Sequence, residues 1–127
     1  MPRILVVDDE QAIALILSEA LNDEGHDVAT AFDGYAALEQ LRRRPPDVVL
    51  LDLRMPGMSG RLVLETMRAN AVIRNTPVIL ITGAVPNAKD FPPEGTYQAV
   101  IFKPFDVKVV TKLVNDLLEE AKPTDNN

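Results

Sequence analysis

Four short apolar runs do most to limit what this chain can fold into. They are Ile4-Leu5-Val6-Val7, Val48-Val49-Leu50-Leu51, Val78-Ile79-Leu80-Ile81 and Val100-Ile101-Phe102. None alternates with polar residues, as a strand with one wet face would. Continuous apolar runs belong to strands buried on both faces, which means a parallel sheet covered by helices. Each run also ends on a residue that can handle phosphate: Asp8-Asp9, Asp52, Thr82 and Lys103. In a parallel sheet these ends meet along one edge.

Helical segments separate the runs. Between Gln11 and Glu24, Ile13, Ile16, Leu17, Ala20 and Leu21 recur at helical spacing, with Asp9 as candidate N-cap and Gly25 as C-terminal cap. Val28 to Ala31 reads as a weaker, edge strand. Asp33 is placed to cap a second helix carrying Tyr35, Leu38 and Leu41, which must stop before Pro45-Pro46. A loop from Arg54 to Met58 leads to a third helix over 60–69, with Leu62, Val63 and Met67 turned inward. The last helix, over 107–120 behind Asp106, carries Val109, Val110, Leu113, Val114, Leu117 and Leu118. Repeated β-α units with right-handed crossovers build an open, doubly wound α/β sheet, whose ligand site lies beyond the carboxyl ends of the strands.

A chain of 127 residues fits one domain, read here as residues 1–122 with a polar tail at 123–127. No apolar run approaches the ~18 residues of a membrane span. The chain enters its first strand at once, without the pattern of a signal peptide, and has no cysteine; a cytoplasmic location is expected. The formal charge of −6 argues against nucleic-acid contact by this chain. Arg42-Arg43-Arg44 reads as a solvated helix end complementing the macrodipole, and His26 as part of an exposed turn.

The residues at the strand ends permit one kind of chemistry together. Asp8, Asp9 and Asp52 repel one another unless a cation compensates. Mg²⁺ takes oxygen ligands and can be held by such carboxylates. An ionised aspartate is a nucleophile for phosphorus, and phosphoryl transfer needs mainly positioning and charge compensation. Lys103 and the Thr82 hydroxyl can each take a phosphoryl oxygen. Singly, each residue has a plainer reading: Asp9 as a cap, Thr82 as a strand terminus, Lys103 as a loop lysine.

The motifs Ile4-Leu5-Val6-Val7-Asp8-Asp9-Glu10, Asp52 to Gly60, Thr82-Gly83-Ala84 and Lys103-Pro104-Phe105 resemble those of the receiver domains of two-component response regulators. The likeness covers essentially the whole chain. It implies a flavodoxin-like five-stranded parallel sheet of order 2-1-3-4-5. It also implies Asp52 as acceptor of a phosphoryl group from a histidine kinase or phosphotransfer protein. Asp8, Asp9, Asp52 and the backbone carbonyl of Arg54 would hold Mg²⁺, and Lys103 would pair with the phosphoryl group. Thr82 would pass the change to the face of the fourth helix, fifth strand and last helix, toward a downstream protein or an effector domain. A cis peptide before Pro104 also follows from the likeness.

The chain departs from the family pattern twice. The usual aromatic switch position, three residues before the lysine, is Val100. Where a regular fourth helix belongs, Pro92 and Pro93 oppose one, so that helix is expected to be short or irregular. A stand-alone receiver, monomeric or weakly dimeric, is expected, catalysing only its own phosphorylation and dephosphorylation. The alternatives are the receiver of a longer regulator, a degenerate receiver that binds without phosphate, and an aspartate-nucleophile phosphatase. The last typically needs a second acid where Arg54 stands.

Overall fold

In the computed structural model, which describes residues 1–83 and 91–121, every apolar run is a strand. The order is β1 (Arg3–Val7), α1 (Gln11–Asp23), β2 (Asp27–Ala31), α2 (Gly34–Arg43), β3 (Val48–Asp52), α3 (Gly60–Arg68), β4 (Val78–Thr82), β5 (Ala99–Phe102) and α4 (Val107–Ala121). All strands are parallel, in the order β2-β1-β3-β4-β5. The central strands β3 and β4 are buried at every position, whereas β2 is half-buried, as an edge strand should be.

Side chains alternate across a strand, so each run feeds two cores. Leu5, Val7, Val49, Leu51, Val78 and Leu80 pack with Ala37 and Leu41 of α2 and Val63, Leu64 and Met67 of α3. Ile4, Val6, Val48, Leu50, Ile79 and Ile81 pack with Ala14, Leu17 and Leu21 of α1 and Val110 and Val114 of α4. Each fully buried Leu or Ile contributes about 1.5–3 kcal/mol by leaving water. Among the described residues no helix is long and apolar enough to cross a membrane.

Local chemistry starts and stops the helices. Asp33 accepts a hydrogen bond from the Ala36 N–H (2.7 Å), and Asp106 Oδ1 accepts one from the Lys108 N–H (2.9 Å). Gly25, at φ +90°, closes α1: its N–H donates to Asn22 O, and the His26 N–H to Leu21 O. Asp9 is not the cap of α1. Glu10 is, with an extended backbone and no side-chain cap, because its own carbonyl accepts the first helical N–H groups, those of Ile13 and Ala14.

Four other expectations are corrected. Ile16, Leu62 and Val109 face solvent, 46%, 46% and 50% exposed. Each apolar stripe is wider than the strip of helix the sheet can cover; Ala14 and Leu64, which the sequence reading left out, occupy that strip, as does Val110, which it included. His26 is buried, only 8% exposed, because its turn tucks beneath α4. There Nε2 lies 2.7 Å from Asn115 Oδ1, and the Asn115 amide donates to Glu24 Oε1 (2.8 Å). The expected irregular fourth helix falls partly on residues 84–90, outside the described residues; residues 91–98 form turns and no helix. The tail at 123–127 also lies outside them.

Candidate functional site

Parallel register brings the strand ends level. Val7 pairs with Leu51, Asp52 with Ile81, and Thr82 with Phe102. Asp8 follows β1, Asp52 closes β3, Thr82 closes β4 and Lys103 follows β5. Asp8, Asp52 and Thr82 are buried. The Lys103 N–H donates to the Thr82 carbonyl (2.8 Å), and the Lys103–Pro104 peptide is cis, as the sequence likeness implies.

The Lys103 ammonium lies among three carboxylates. It donates to Glu10 Oε1 at 2.8 Å and to Asp52 Oδ2 at 3.4 Å, and stands 2.9 Å from Asp8 Oδ2. The Asp8 contact is a close ion pair, and this buried oxygen has no other partner among the described residues. The other Asp8 oxygen accepts from the Glu10 N–H (2.9 Å), and Asp52 Oδ1 accepts from the Arg54 N–H (3.1 Å).

These surroundings set the charges. Burial pushes the Asp52 carboxyl up to about 7, assisted by Asp8 and opposed by the Arg54 N–H and by Lys103. Burial also works against the Lys103 charge. Glu10 and Asp8 at contact distance, with Asp52 behind them, outweigh it and hold the ammonium above the usual lysine range. With all groups ionised, three carboxylates face one ammonium, so two negative charges remain uncompensated.

That excess suits a hard divalent cation. Oxygens of Asp8, Glu10 and Asp52 lie within 4.8 Å of one another, close enough to share one ion. Asp9 is half-buried, and its carboxylate is not among the three that converge. Glu10 was missed as a sequence candidate. Its signal was present, an acid two residues beyond Asp8, but only the start of α1 turns it toward Lys103.

The loop after Asp52 is shaped by particular residues. Met55 is buried in the core, Gly57 adopts φ +81°, and the Ser59 hydroxyl accepts from the Leu62 N–H to start α3. Gly60 permits a close approach that no other residue would. Its N–H donates to Leu53 O (3.1 Å), and a Cβ there would run into the Asp52 carbonyl oxygen and lie 2.8 Å from Leu53 Cα. A cavity of about 470 Å³ opens beside the acids, lined by Leu53, Arg54, Met55, Pro56, Ser59, Arg61 and Thr82. Val100 pairs with Leu80 and packs, half-buried, against the same core as Phe91 and Tyr97. Those two rings meet edge to face with centroids 5.5 Å apart.

Comparison with known proteins converges on one family. The model of the response regulator receiver domain matches residues 4–115. Over 80 residues the chain is 45% identical to the response regulator PleD of Caulobacter vibrioides. Over the same length it is 44% identical to the DNA-binding response regulator MtrA of Mycobacterium tuberculosis. Each alignment covers 63% of this chain, but only 18% of PleD and 34% of MtrA. The receiver domain of the Francisella response regulator 1452 superposes with a TM-score of 0.83 at 28% identity, covering 96% of this chain and all of that one.

Proposed function

We propose that this chain, which belongs to the response regulator receiver domain family, takes a phosphoryl group onto Asp52 from a phosphohistidine. The donor would be a histidine kinase or a phosphotransfer protein. One observation carries the reading: the buried Asp52 carboxylate and the Lys103 ammonium face each other at 3.4 Å, with Asp8 alongside, where four strands end.

Asp52 Oδ1 is held by the Arg54 N–H, so Oδ2, on the Lys103 side, is the attacking atom. It forms the new O–P bond while the P–N bond to the donor imidazole breaks, its electron pair leaving on nitrogen. Lys103 pairs with one phosphoryl oxygen, and the Thr82 hydroxyl with another. By the family likeness Asp8, Asp9, Asp52 and the Arg54 carbonyl would hold Mg²⁺, although of these acids only Asp8 and Asp52 converge here, with Glu10; the ion would neutralise charge on the acids and the phosphoryl oxygens. Such a cation also favours ionised Asp52, the nucleophilic form, against the burial that pushes its carboxyl up to about 7.

In this reading the chain catalyses only its own phosphorylation and hydrolysis. Arg54 stands where an aspartate-nucleophile phosphatase would need a second acid. Signalling then runs from Thr82 toward β5 and α4, to a protein target or to a linked effector domain in the cytoplasm. The test is incubation with Mg²⁺ and acetyl phosphate, followed by intact mass. One base-labile phosphoryl group, absent from Asp52→Ala, is expected. An unmodified protein would defeat the proposal.

A further inference from the structure

Glu10 has no part in the mechanism above, yet it makes the shortest contact to Lys103, 2.8 Å from Oε1 to Nζ. We infer that Glu10 is a positioning residue that tethers Lys103 in the resting state and so opposes the phosphorylated one. The inference rests on the phosphoacceptor reading. Of the three carboxylates around the ammonium, Asp8 and Asp52 are buried, whereas the Glu10 side chain is 59% exposed. Only Glu10 can release Lys103 without stranding a charge out of water. The ammonium's contact to Asp52 is the longest of the three. When a phosphoryl group arrives on Asp52, Lys103 moves toward it, and the bond to Glu10 is the one that yields. The carboxylate therefore sets how much binding energy the phosphoryl group must supply before the lysine engages it.

A double-mutant cycle tests this with beryllium fluoride as the phosphoryl mimic. The parent, Glu10→Gln, Lys103→Ala and the double variant are titrated at saturating Mg²⁺, following the Thr82 and Gly83 amide resonances. An exposed charged pair makes a small contribution, so Glu10→Gln should tighten binding of the mimic by roughly two- to fivefold. In the Lys103→Ala background the same substitution should change nothing. An equal change in both backgrounds would reveal a through-space charge effect and overturn the tether, as would no change in either. Mg²⁺ is also titrated alone. A loss of tenfold or more in Glu10→Gln would make Glu10 a metal ligand and overturn the tether. Failure of the parent itself to bind the mimic would instead sink the phosphoacceptor reading.

Discussion

Replacing Asp52 with asparagine should stabilise this protein, and only above acid pH. The residue is 3% exposed, and its carboxyl is raised from 3.8 to about 7, mainly by burial. A carboxyl whose folded value lies above its unfolded value holds its proton more tightly when folded. Ionising it therefore weakens the fold, and the loss accumulates as pH rises from 3.8 through about 7. At about 1.4 kcal/mol for each pH unit of that interval, the full penalty is about 4 kcal/mol. Asparagine keeps the shape and an oxygen for the Arg54 N–H, but it cannot ionise. Urea unfolding followed by far-UV circular dichroism should show Asp52→Asn more stable by about 4 kcal/mol near pH 8, with the gap closing toward pH 4. Adding Mg²⁺ near pH 8 should narrow the gap, because a ligand of the folded acids stabilises the parent more than the variant. Equal stabilities near pH 8, or a gap that persists at pH 4, would refute the account of Asp52 as a carboxylate strained by burial.

Two further substitutions probe the frame that holds the site. Gly60→Ala drives a methyl group into the backbone at Asp52 and Leu53, none of which can rotate away. It should cost about 1–3 kcal/mol or more in denaturant unfolding and slow phosphorylation by acetyl phosphate; a fully stable variant with normal uptake would show that α3 is free to shift. Arg68→Met removes a guanidinium whose Nε donates to Thr96 O (2.8 Å) and whose Nη1 donates to Arg74 O and Thr76 O (3.0 and 2.8 Å). Leaving those carbonyls without donors should cost about 1–3 kcal/mol, and a change below about 0.5 kcal/mol in urea would mean that water replaces the guanidinium freely.

The apolar runs were enough to specify a parallel, doubly covered sheet, because burial on both faces leaves no room for alternation. With strand ends aligned by such a sheet, Asp8, Asp52, Thr82 and Lys103 had to share an edge. The cap at Asp33, the stop at Gly25 and the edge position of β2 were legible for the same reason: they depend on a few adjacent residues. What the sequence could not decide depends on neighbours distant along the chain. Which side of α1, α3 and α4 meets the sheet follows from crossover geometry, so Leu62, read as inward, and the stripe members Ile16 and Val109 face solvent, while Ala14, Leu64 and Val110 hold the contacts. His26 is buried only because Asn115, on the last helix, comes to meet it. The same holds inside the site. Four phosphate-handling residues were visible as strand ends. That Glu10 rather than Asp9 reaches the Lys103 ammonium was decided by where α1 begins and by β5 lying two strands from β3. Strand ends are set by local pattern, but the balance of charge among them is set by distances that exist only once the sheet has formed.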